Sequence, residues 1–96
     1  MYRYNSMDIF FALEDSNRRQ IIEMLATRGQ LSASQISKMF YVSPPAISQH
    51  LKVLREADLV KVEKKEQKRL YSINPEKMLE LETWAKKLQT VKFTKI

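Results

Sequence analysis

Val42-Ser43-Pro44-Pro45-Ala46-Ile47-Ser48-Gln49-His50-Leu51-Lys52-Val53-Leu54-Arg55-Glu56-Ala57-Asp58-Leu59-Val60 is the stretch on which the fold turns. Ser43 can cap a helix, and a proline at the first helical position costs nothing because its missing N–H would have no partner there. With Ile47 at the centre of a buried face and about 100° per residue, Leu51 and Leu54 fall within about 40° of it. Pro45, Ser48, Gln49, Lys52 and Glu56 then point away, with Arg55 on the flank. The outward surface is slender and polar, which suits a helix entering a DNA major groove roughly 12 Å wide. Gln49 can pair bidentately with adenine, Ser48 can meet base or phosphate, and Lys52 and Arg55 lie where groove walls offer phosphates. The helix N-terminus, with its free N–H groups and the Ser43 hydroxyl, is a candidate phosphate site.

Upstream, Ser32 and Gln35 form a capping-box pair that opens a third helix with Ile36, Met39 and Phe40 inward. Ser34 and Gln35 at its start are further phosphate candidates. Tyr41-Val42-Ser43 makes the junction to the next helix a short turn, the spacing of a helix-turn-helix. Before it, Asp15 can cap a second helix with Ile21, Ile22 and Leu25 buried and Gly29 closing it. Met7, Phe10, Phe11 and Glu14 fit a short first helix.

Downstream the period changes to two, over Leu59 to Glu63 and again over Arg69 to Ile73, which reads as a hairpin. Residues 61–69 hold five basic side chains (Lys61, Lys64, Lys65, Lys68, Arg69) against Glu63 and Glu66, whereas residues 1–31 hold four of each sign. So compact an excess of positive charge suits a polyanion. No glycine stands at the hairpin tip, so its turn type is open. Asn74-Pro75-Glu76 starts a last helix with Met78, Leu81, Trp84, Ala85 and Leu88 along one face.

The expected fold is therefore mainly α (α+β), a winged helix-turn-helix. It has five helices and a two-stranded β-hairpin wing between the fourth and fifth. The recognition helix spans 44–57 and the wing 61–73. Ninety-six residues form a single domain, 1–96. There is no cysteine and one histidine, which leaves no disulfide, no thiolate metal site and no nucleophile–base pair. An enzyme is not expected, nor a metal or other cofactor. The apolar run at 9–13 is too short to cross a membrane or to serve as a signal core, so a cytoplasmic protein without membrane contact is expected. His50 reads as a half-buried histidine held by a local hydrogen bond rather than as a switch. A winged helix that binds protein instead of DNA is the rival reading, and the cationic wing and small outward face argue against it.

Two runs resemble a known family. Residues 12–22, Ala12-Leu13-Glu14-Asp15-Ser16-Asn17-Arg18-Arg19-Gln20-Ile21-Ile22, and the opening run 42–60 are similar to ArsR/SmtB repressors of bacteria, a likeness that extends from residue 7 to about 88. The resemblance implies a winged-helix fold and a homodimer formed by the first and last helices. It also implies repression of transcription, relieved by an unidentified inducer or protein partner. By position, Ser43, Pro45, Ser48, Gln49 and Lys52 match the family's recognition helix, and Lys64, Lys65, Lys68 and Arg69 its wing. The cysteine pair and the histidines that metal-sensing members carry are missing, so the resemblance is to the metal-independent branch. The first and last helices hold more apolar side chains than a monomer core needs. Met7, Phe10, Phe11, Met78, Leu81, Trp84, Ala85 and Leu88 are thus expected at the dimer seam. For Trp84, burial within one chain is an equal alternative.

Overall fold

The computed structural model describes residues 8–89. The first helix, α1 (Ile9–Leu13), starts where the Asp8 carboxylate accepts from the Phe10 and Phe11 N–H groups. Asp15 does the same for Asn17 and Arg18 at the head of α2 (Ser16–Arg28), at 2.8 and 3.1 Å. Gly29 ends α2 at φ 90°, its N–H bonded to the Leu25 carbonyl. A side chain there would meet nothing within 4 Å, so the backbone angle alone requires glycine.

A two-residue strand, β1 (Leu31–Ser32), leads into α3 (Ala33–Ser37). The Ser32–Gln35 box closes in both directions, as the spacing predicts. After α4 (Pro44–Glu56) come β2 (Val60–Lys65), β3 (Lys68–Ile73) and α5 (Pro75–Leu88), the last capped by Asn74. The sheet is antiparallel with order β1-β3-β2. Leu31 faces Tyr71, and the hairpin register runs from Val60 opposite Ile73 to Lys65 opposite Lys68.

The architecture is the winged helix-turn-helix that the sequence predicts, with three differences. The sheet has a third strand, because Leu31 needs a buried partner and finds Tyr71. A strand of two residues has no periodicity to detect. The third helix stops at Ser37, and the Met39 and Phe40 N–H groups bond three residues back, to Ile36 and Ser37. That tighter winding turns Met39 out to solvent while Phe40 still packs on the core. In α1 the fully buried residue is Ala12, and Phe10 faces outward.

The core is built from Ile21 and Leu25 of α2, Ile36 of α3, and Ile47, Leu51 and Leu54 of α4, with Leu59 behind them. Each such side chain contributes roughly 1.5–3 kcal/mol on burial. Three of the seven come from α4, so its polar side is fixed in direction by what its apolar side fills. The α5 helix buries no residue fully, although Met78 leans on the core.

Candidate nucleic-acid interface

Ser43 caps α4 by accepting from the Ala46 N–H at 3.3 Å. From there Pro45, Ser48, Gln49, Lys52 and Arg55 are all exposed. Their direction follows from the apolar spacing, as the wheel predicts. This helix end offers fewer backbone donors than a free N-terminus would. Pro44 and Pro45 have no N–H, the Ala46 N–H goes to the Ser43 side chain, and Ile47 N–H goes to the Ser43 carbonyl at 3.1 Å. Within the first turn no backbone donor is left for a phosphate, so the Ser43 N–H, the Ser43 hydroxyl proton and neighbouring side chains are what can serve.

Between α3, α4 and the hairpin runs an open groove of about 770 Å³. Ser34, Gln35, Ser48, Lys52, Arg55, Lys68 and Arg69 line it, seven of the candidate contacts drawn from three separate parts of the chain. Ser43, Pro45, Gln49, Lys64 and Lys65 lie outside its walls but are exposed. Gln35 has its amide oxygen tied to the Ser32 N–H, which leaves its NH2 group to donate. Lys38 and Gln67 also line the groove and were not among the sequence candidates. Lys38 follows Ser34 by four residues, one helical turn, and that spacing was the available signal.

Charge pairing divides the molecule. The ion pairs among the described residues are Lys77–Glu80, Lys86–Glu82 and the His50–Asp15 contact. None involves Lys38, Lys52, Arg55, Lys64, Lys65, Lys68 or Arg69. On the hairpin, Lys64 faces Arg69 and Lys65 faces Lys68. Like charges directly opposite each other destabilise a ladder, and here no ion pair relieves them. Such a surface is matched by an external polyanion.

Behind the recognition helix sits the one buried charge among the described residues, Arg18. It donates through Nε to the Ala12 carbonyl at 2.7 Å and through Nη2 to the Phe11 carbonyl at 3.2 Å. Its Nη1 lies 3.4 Å from His50 Nδ1, and the guanidinium stacks 5.5 Å over the Phe11 ring. With Nδ1 accepting, the ring proton is on Nε2, which is 4.0 Å from Asp15 Oδ1. His50 is thus half-buried as expected, but its partners come from α2 and its cap rather than from its own helix. Burial alone would raise the Asp15 carboxyl. The Arg18 backbone N–H, the positive charge that His50 carries when protonated, the Asn17 N–H and the Arg18 guanidinium outweigh it and hold Asp15 below the ordinary carboxylate value.

The last helix presents Leu79, Trp84 and Leu88 at 60, 45 and 57 % exposure, beside Phe10 at 48 %. Trp84 meets Phe10 edge-on at 4.8 Å, on the surface of the chain. Phe11, Leu81 and Ala85 are half-buried, like Met78, and Met7 lies outside the described residues. Leu79 was not among the residues expected here. No three His, Asp or Glu side chains converge as metal ligands among the described residues, and no helix is long and apolar enough to cross a membrane.

Comparison with known proteins accords with this geometry. Residues 15–62 match the family model described as bacterial regulatory protein, arsR family. The transcriptional repressor SdpR of Bacillus subtilis is 36% identical over 67 residues, covering 70% of this chain and 73% of that protein. The HTH-type transcriptional regulator Rv2034 of Mycobacterium tuberculosis is 40% identical over 84 residues, 86% of this chain and 78% of that one. Among solved structures, an ArsR family transcriptional regulator aligns over the full length of both chains with a TM-score of 0.79 at 26% identity. HlyU from Vibrio cholerae aligns at 0.65 with 34% identity, over 76% of this chain and 82% of its own.

Proposed function

The chain belongs to the arsR family of bacterial regulatory proteins, DNA-binding regulators of transcription and not enzymes, and on that premise we propose that it represses as a homodimer on a palindromic operator. Residues 44–57 enter the major groove, and the hairpin, 61–73, lies on the backbone or in the minor groove. Gln49 reads adenine, Ser48 meets base or phosphate, and Pro45 lies against the groove floor. Ser43, Ser34, Gln35, Lys52, Arg55, Lys64, Lys65, Lys68 and Arg69 hold phosphates. The observation that carries this reading is the set of unpaired cations around an exposed Ser48–Gln49 ridge.

Pairing is proposed through α1 and α5, where Phe10, Trp84 and Leu88 stand exposed beside half-buried Phe11, Met78, Leu81 and Ala85. A two-fold axis there sets the recognition helices about 34–36 Å apart, one turn of duplex. The whole chain acts as one domain in the cytoplasm, and the bound dimer obstructs RNA polymerase. Release by an inducer is the remaining part of the proposal, with no metal required.

The test compares a duplex selected from genomic fragments with a random duplex. Gln49→Ala is expected to cost about 1–3 kcal/mol on the selected site and little on the random one. Equal loss on both overturns Gln49 as the base reader.

A further inference from the structure

The hairpin ends in a two-residue turn, Glu66-Gln67, closed by the Lys65–Lys68 pair. Glu66 adopts φ 57°, a left-handed conformation in which a glutamate is strained and glycine or asparagine is the ordinary choice. The chain therefore sets an acidic and conformationally costly residue at the apex of its most basic element. Four cations flank it in sequence, Lys64, Lys65, Lys68 and Arg69, and none forms an ion pair with it. The other acid of the hairpin, Glu63, is engaged by the Gln30 amide at 3.2 Å. Glu66 is exposed and uncompensated. On the side next to it, Gln67, Lys68 and Arg69 line the groove.

We propose that Glu66 is an affinity-limiting residue, whose carboxylate repels the phosphate backbone at the wing tip and weakens the protein's grip on any duplex. Because phosphates repeat along every sequence, the repulsion acts on random and operator DNA alike and leaves base discrimination untouched. It sets how hard the arm holds and how salt-sensitive the hold is. This rests on the wing lying against DNA as proposed above.

Glu66→Gln is the direct test, since it keeps the side-chain size and the turn strain and removes only the charge. Binding of the full chain to a random 30-base-pair duplex is measured by fluorescence anisotropy over a salt series, with Lys68→Ala alongside. Glu66→Gln is expected to tighten binding about threefold near 50 mM salt, with a log–log salt slope steeper by up to about 0.9, the advantage fading towards 200 mM. Glu66→Gly relieves the turn as well, and is expected to raise the melting temperature without tightening binding beyond Glu66→Gln. If Lys68→Ala weakens binding but Glu66→Gln leaves it unchanged or weaker, the inference falls and the wing contact stands. If neither variant changes binding, both fall.

Discussion

The two ends of this molecule treat charge in opposite ways. On α5, Lys77 pairs with Glu80 and Lys86 with Glu82. These neutralised pairs border an apolar surface of Leu79, Trp84 and Leu88. Around α3, α4 and the hairpin, eight cations form no ion pair among the described residues, and two ladder rungs set like charges face to face. Isolated surface pairs contribute little to stability, about 0–1 kcal/mol, so the difference is not a matter of holding the fold together. It concerns what each face is left wanting. One lacks an apolar cover and the other lacks anions, and a pair of like chains on a duplex would supply both.

The largest expected effect breaks the cationic side. Replacing Lys64, Lys65, Lys68 and Arg69 together by alanine should cut duplex affinity about a hundredfold at low salt and shrink the log–log salt slope by roughly three to four units. Equilibrium titrations across a salt series measure both, and an unchanged slope would place the phosphates elsewhere. The apolar side is broken by Trp84→Ala. A central aromatic of this kind is expected to contribute about 2 kcal/mol to pairing, or roughly thirtyfold in the dimer dissociation constant. Sedimentation equilibrium reads that change, while the monomer should lose little because Trp84 is nearly half exposed within it. An unaltered dimer constant would move the seam to another surface.

The smallest effect concerns Asp15, the cap of α2. Its carboxyl lies below the ordinary value, so the folded form binds the proton less readily than the unfolded chain. The stability this brings is complete above the unfolded carboxyl's pKa and is lost as pH falls through the lower folded one. Asp15→Asn retains a capping oxygen and removes the charge. Its urea midpoint should therefore drop less steeply with acid than that of the parent chain, and parallel pH curves would remove Asp15 from the acid response.

Sequence reasoning reached most of the scaffold because the helix starts are written in local chemistry. Asp15, the Ser32–Gln35 box, Ser43 and Asn74 each cap where their side chains and neighbours suggested. The direction of Ser48 and Gln49 followed from three apolar residues on the other side of the same helix. What escaped was set by contacts distant along the chain. Leu31 pairs with Tyr71 forty residues on. Arg18 turns inward because the carbonyls ending α1 and the His50 ring await it there. Met39 was misplaced because the helix tightens before reaching it. Lys38 was missed with it, although one helical turn from Ser34 was enough to find it.

The paired prolines at the head of α4 carry a consequence for how this protein could change its target. Beyond the Ser43 N–H, a helix whose first turn has no spare amide offers the DNA little at that end that does not depend on side chains. On the proposed reading, what is recognised there is spelled mostly in replaceable groups, at Ser43, Ser48, Gln49 and their neighbours. New addresses can therefore arise by single codon changes on an unaltered frame, and old ones can be erased as easily.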